Sequence, residues 1–330
     1  MLLRLFLLLL LGCHASLASA APYRILMLLY RGQTEAEKGF MDYFKKHKIE
    51  VEYIIRDAQA DRSRIADFVK EARELKPDLI YTFGTSVTSE VVGLQEKADP
   101  ARHITDIPVV FNIVADPVGA GLVRQLQSSG RNLTGASHLV PLEAQLKALQ
   151  AMRQTKTLGV LYSDEKNAQL TIEDLKREAP RFGLQLQLTP LAANTDATAL
   201  QKAVQEALAK KPQFLYLPSD SFLIKHADSV VRPALAARVP VFAATEAPIR
   251  NNGALLGLVS TYYSVGELAA YKAEQILTRK KTPAQIPVEV LRRFTYLVNM
   301  SSAKKLGVYP PLSVMKIAET VTDDAIDARE

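Results

Sequence analysis

The sequence predicts an α/β protein of two matched lobes, each built on a mostly parallel sheet, and three observations carry that expectation. Short apolar runs alternate with longer stretches of helical period, the order of repeated βα units. The segment Pro77 to Ser86, PDLIYTFGTS, aligns without a gap on Pro212 to Ser221, PQFLYLPSDS. A proline-led apolar strand that runs into an acidic residue, a proline and a glycine occurs twice, around Asp116-Pro117 and around Glu246 in Pro240 to Leu255.

The chain opens with Arg4, an apolar run from Leu5 to Leu11 and the small residues Ala18-Ser19-Ala20, the pattern of an export signal over residues 1–20. That run is too short to cross a bilayer, and no later stretch approaches the ~20 apolar residues that a span needs. Leu10-Leu11-Gly12-Cys13 also matches a bacterial lipobox, so two processing routes compete. Cleavage before Ala21 is preferred, because a strand starting near Tyr23 leaves almost no tether after the cut. Cys13 is the only cysteine, which excludes a disulfide framework.

Arg24 to Tyr30 is a continuous apolar strand, followed by a helix over about Glu35 to Lys46 and a strand from Glu50 to Ile55. After Asp61, Ile65, Phe68, Val69, Ala72 and Leu75 share one helix face, and Asp78 to Phe83 is the third strand. The fourth strand begins at Pro108, and Asp116-Pro117 is expected to start a glycine-spaced helix. Leu142, Leu146, Leu149 and Met152 mark the helix that leads to the second strand series at Thr157 to Tyr162. Leu184, Leu186 and Leu188 alternate with glutamines, as in a strand near a sheet edge with one wet face. The repeat is also visible in spacing: Tyr30 precedes Tyr81 by 51 positions and Tyr162 precedes Tyr216 by 54, while the fourth strands start 31 and 28 positions after Pro77 and Pro212. A long helix with Val265, Leu268, Ala269, Ala273, Ile276 and Leu277 on one face and a strand at Phe294 to Asn299 close the chain. These last pieces are expected to be shared between the lobes, with several crossings at one hinge. The division expected is 22–137 plus about 259–285 for the first lobe and about 138–258 plus 286–330 for the second.

With 330 residues and 48% hydrophobic content the chain can fill two cores. Its formal charge of +6 comes from 41 basic residues scattered among 35 acidic ones, a solvated surface rather than a nucleic-acid footprint. There is no Gly-x-Ser-x-Gly elbow, Walker loop or Gly-x-Gly-x-x-Gly, and His47, His103, His138 and His226 stand too far apart for a metal motif, so each is read as a surface or packing residue. No catalytic residue, metal or cofactor is expected.

Lys76-Pro77-Asp78-Leu79-Ile80 with Gly84-Thr85, Phe111 to Leu122 with Asp116-Pro117-Val118-Gly119, Asn132-Leu133-Thr134-Gly135, and Pro240-Val241-Phe242 with Gly253-Ala254-Leu255 together resemble the ABC transporter substrate-binding family whose characterised members include tryptophan-type aromatic amino acid binders. Tyr262-Tyr263 with Gly266 and Asn299 with Leu306-Gly307 extend the match over nearly the whole chain after the signal. The resemblance implies a type I periplasmic binding protein, with two Rossmann-like lobes joined by a hinge that close on a small ligand and present it to an inner-membrane permease. It also implies the periplasm, or, by the lipobox route, a membrane-anchored form held through Cys13.

In doubly wound sheets ligands meet the carboxyl ends of strands. Gly84, Thr85 and Ser86 follow the third strand, where amides and hydroxyls can hold a carboxylate or simply cap the next helix. Asp116 is read first as a helix cap, Asn112 as a residue that can face the cleft, and Ser137 as either hinge packing or a ligand contact. In the second lobe Ser219, Asp220 and Ser221 follow one strand and Glu246 the next, and their carboxylates suit an ammonium group, with Asp220 preferred. Resemblance to branched-chain amino acid binders of the same fold supports an acidic group from this lobe in that role. Tyr30, Tyr162 and Tyr262 can wall a planar ligand, or cover the core. The function expected is an exported, monomeric solute-binding protein of an ABC importer that captures an amino acid or related small carboxylate by hinge closure. The alternative is a sensory module of the same fold that signals to a membrane kinase or cyclase.

Overall fold

A computed structural model describes residues 21–192, 195–291 and 293–322; the expected signal segment and Cys13 lie outside the described residues. The first series runs β1 (Tyr23–Leu29), α1 (Glu35–Lys46), β2 (Val51–Asp57), α2 (Ile65–Leu75), β3 (Leu79–Phe83), α3 (Gly84–Val92), β4 (Val109–Val114) and β5 (Leu133–Ser137). The second runs α4 (Leu142–Met152), β6 (Thr157–Tyr162), α5 (Lys166–Glu178), β7 (Gln185–Pro190), α6 (Ala197–Ala209), β8 (Phe214–Leu217), α7 (Ser221–Lys225), α8 (Ala227–Ala236), β9 (Val241–Ala243), α9 (Ala247–Asn252) and β10 (Leu256–Val259). After it come α10 (Tyr262–Leu277), β11 (Glu289–Val290), β12 (Thr295–Asn299), α11 (Met300–Leu306), α12 (Leu312–Met315) and β13 (Glu319–Val321).

One sheet has the order β11-β5-β4-β3-β1-β2 and the other β13-β12-β10-β9-β8-β6-β7. The repeat seen in the sequence is therefore a repeat of topology, since β5-β4-β3-β1-β2 and β10-β9-β8-β6-β7 are the same order of successive strands. Tyr81 and Tyr216, matched by the gapless alignment, are both fully buried, and each hydroxyl bonds a polar residue of an adjoining helix, Glu37 or Gln145. The half-wet strand β7 forms a sheet edge, as its glutamines predict. The pairing is parallel throughout the first sheet, while β12 turns antiparallel to β10 in the second.

Two separate cores lie on these sheets, and the described chain passes between them three times, after β5, after β10 and after β11. One boundary needs correction: Ile286 and Val288 pack in the first core and β11 pairs with β5, so residues up to Val290 stay with the first lobe. Lys272 of α10 fixes that return, because its fully buried ammonium donates to the carbonyl of Pro287 at 2.6 Å and to Glu289 at 2.5 Å. α10 returns to the first lobe by packing on α1 at a contact that demands glycine on both sides. A Cβ on Gly266 would stand 2.1 Å from the carbonyl oxygen of Ala36, and one on Gly39 would stand 2.1 Å from that of Tyr263. The helix expected after Asp116-Pro117 is absent; residues 117–121 form turns that include the bond from Ala120 N–H to the Asp116 carbonyl, 2.8 Å.

Candidate functional site

The carboxyl ends of β1, β3, β6 and β8 meet where the lobes face each other. α3 starts directly after β3 and has no side-chain cap, so Thr85 and Ser86 lie half-buried in its first turn instead of capping it. Gly84, at φ +80, makes the sharp turn from strand to helix that leaves the first-turn N–H groups uncapped and partially positive. Ser86 Oγ accepts a hydrogen bond from Arg62 Nη2 at 3.0 Å, and the same nitrogen reaches Glu165 Oε1 of the second lobe at 3.3 Å. Ser86 and Glu165 therefore flank a gap that one guanidinium spans.

Asp220 does not meet a ligand in the way expected. It is fully buried and both oxygens are taken, Oδ1 by the N–H of Leu223, which it caps at 3.0 Å, and Oδ2 by the N–H of Ser163 at 2.8 Å. Glu165, which sequence reasoning missed, is the carboxylate beside it that lines a cleft cavity of about 400 Å³. Its Oε2 accepts from the N–H of Ser221 at 3.0 Å. Burial pushes both carboxyls above the ordinary range, and the charge of Asp220 pushes Glu165 further. Among the described residues Arg62 is the one cation paired with Glu165. A usable signal was present, since Asp164-Glu165 follows β6 as Asp220 follows β8.

Tyr30 lines the same cavity, with its hydroxyl donating to the carbonyl of Ala60 at 3.2 Å and its pKa raised by burial. Glu246 and Tyr262 line a second cavity of about 950 Å³ between the lobes. There Glu246 Oε1 accepts the N–H of Tyr262 at 2.8 Å and Oε2 pairs with Arg250 at 3.0 Å, so its charge is already compensated. Tyr262 is buried, edge-on to Phe83 at 6.3 Å and to His138 at 5.8 Å, while the Arg31 guanidinium sits 5.3 Å from the Phe83 ring centre.

His138 is not on the surface. It lies buried at the first crossing, where Nε2 is 3.1 Å from Ser219 Oγ of the second lobe, so Ser219 faces the hinge. Burial, and then the charge of Arg31, pull the His138 pKa down to about 4, which keeps the ring neutral at pH 7.

The remaining expected site residues turn to other partners. Asn112 is fully buried, donating to Tyr81 at 3.0 Å and accepting the N–H of Ile113, whose backbone is left-handed at φ 56. Tyr81 in turn donates to Glu37 at 2.5 Å, a buried acid whose pKa is raised by its burial. Asp116 closes its own turn by accepting the N–H groups of Val118 and Gly119 at 3.1 and 2.8 Å. Ser137 donates to the carbonyl of Ala115 at 2.7 Å, and Tyr162 packs against the second core. The described residues contain no cluster of metal-ligating side chains and no helix long and apolar enough to cross a membrane.

Residues 27–322 match the profile of a family described as ABC transporter substrate binding protein. The chain belongs to this family. A curated relative, the tyrosine-binding protein of Clostridioides difficile strain R20291, is 26% identical over 275 residues, 82% of this chain and 74% of its own. Among solved structures, an ABC domain from Streptococcus pneumonia in complex with L-Trp superposes with a TM-score of 0.80 at 24% identity, covering 91% of this chain and 100% of that one. The ligand-free, open form of a substrate-binding protein with adhesive properties from Clostridium difficile gives 0.69 at 23% identity over 91% and 99%. The fold of this ABC transporter substrate binding protein is thus the two-lobed type I periplasmic binding fold.

Proposed function

We propose that this chain is the exported solute receptor of an ABC importer, that it closes its lobes on an α-amino acid with an aromatic side chain, and that it delivers the ligand to a membrane permease. One observation carries the ligand class: the cleft-lining carboxylate of Glu165, with the buried carboxylate of Asp220 beside it and one half-exposed cation, Arg62, paired to it, lies across from the uncapped N-terminus of α3. An ammonium group at Glu165 adds the missing positive charge, with Asp220 acting through its field. A carboxylate takes the amides of Gly84, Thr85 and Ser86 and the hydroxyl of Thr85. The cleft also holds aromatic walls, Tyr30 and Phe222 on one side and Tyr262 on the other. The tyrosine-binding and L-Trp-bound relatives support the aromatic preference. Binding then involves no covalent step, and the receptor works in the periplasm as a monomer cut before Ala21.

A thermal-shift series on residues 21–330 tests this reading. L-tyrosine, L-tryptophan and L-phenylalanine raise Tm by mass action, whereas their decarboxylated amines and deaminated acids do not. A shift produced only by uncharged compounds refutes it.

A further inference from the structure

Among the described residues, Arg62–Glu165 is the only ion pair that joins the lobes. Its two ends are built differently. The Glu165 side chain is 7% exposed and anchored by the N–H of Ser221, while its own N–H donates to Ser163 Oγ at 3.2 Å. The Arg62 side chain is 49% exposed, yet its base is fixed. Two successive non-glycine residues before it, Gln59 and Ala60, are left-handed at φ 54 and 62. They are held by Asp57, which accepts the N–H of Gln59 at 2.9 Å, and by Tyr30, whose carbonyl accepts the N–H of Ala60 at 2.6 Å. Asp61 then accepts the N–H of Ser63 at 2.9 Å and fixes the start of the next turn. Such backbone persists only where surrounding contacts impose it. Here they aim one guanidinium across the cleft.

We infer that Arg62 is a latch for lobe closure, a positioning residue that acts through Glu165 and Ser86 rather than by touching the ligand. The inference rests on the hinge-closing function proposed above. Because the pair forms only when the lobes approach, it stabilises the closed form in the ligand-free protein as well. Ligand affinity then depends on the latch through the closed fraction alone, since the apparent Kd is the intrinsic value divided by that fraction.

Residues 21–330 with spin labels on cysteines placed at the exposed positions Glu90 and Gln201, one on each lobe, report the closed-to-open ratio without ligand. Arg62→Met is expected to lower that ratio by roughly 1.5- to 5-fold, the range for a half-exposed pair. Glu165→Gln is expected to lower it equally, and the double variant no further than either single one. The apparent Kd for L-tyrosine and L-tryptophan should rise in Arg62→Met by the factor by which the closed fraction falls. An unchanged ratio overturns the latch. So does weaker binding at an unchanged ratio, which makes Arg62 a ligand contact, and so does tighter binding, which makes it a competitor for Glu165. If neither amino acid binds wild-type protein, the proposed ligand class fails, while the label distances still decide the latch.

Discussion

His138 gives the fold a measurable sensitivity to acid. Unfolding returns the ring to water, where its pKa is 6.5, whereas in the folded protein it is held at about 4. A base with a depressed folded pKa binds fewer protons folded than unfolded, so its contribution is fully present above pH 6.5 and is lost as pH falls towards 4. From those two values the loss is about 2 kcal/mol at pH 5 and about 3 kcal/mol below pH 4. Glu37, Glu165, Asp220 and Glu246 have raised values and act in the opposite direction, favouring the folded state as pH falls. The His138 effect is therefore read as a difference. Urea denaturation of wild type and of His138→Gln at pH 7 and pH 5 isolates it, because glutamine keeps an amide donor near Ser219 and does not titrate. Wild type should lose about 2 kcal/mol relative to the variant between the two conditions. Parallel behaviour, within about 0.5 kcal/mol, would refute a buried neutral imidazole at the crossing.

Gly266→Ala forces α1 and α10 apart and is expected to cost about 1–3 kcal/mol by chemical denaturation; a loss under about 0.5 kcal/mol refutes the close approach. Asp220→Ala leaves two buried N–H groups, those of Ser163 and Leu223, without acceptors, and should cost about 2–4 kcal/mol; a loss under 0.5 kcal/mol refutes its capping role. Lys272→Ala removes the tie to Pro287 and Glu289 and opens a void, so amide exchange in β11 should accelerate by at least ~10-fold while β1 keeps its protection.

Much of the fold was legible because burial on both faces of a parallel strand leaves a continuous apolar run, and the chain writes that run twice. The gapless match of Pro77–Ser86 with Pro212–Ser221 located equivalent strands before any contact was known. The end of the first lobe was not legible, since β11 is two residues long and owes its place to Lys272, a partner far away in sequence. At the cleft, the acidic character of the second lobe was legible but the division of labour was not. Asp220 and Glu165 are both acids after strands, and only the count of backbone donors on each, two against one, separates a cap from a cleft-lining carboxylate. Arg62 was missed, and His138 was read only as a surface or packing residue, for the same reason: each acquires its role from a residue far away in sequence, Glu165 or Ser219.

The triple passage between lobes also bears on how the chain is made. The first sheet waits for β11 at Glu289–Val290 and the second for β12 and β13, which end at Val321, so a chain delivered N-terminus first holds its first half incomplete until residue 290 and its second until residue 321. Pairings of such long sequence separation form slowly. Under the proposed export, a channel that accepts only unfolded chain would be given its time by topology itself.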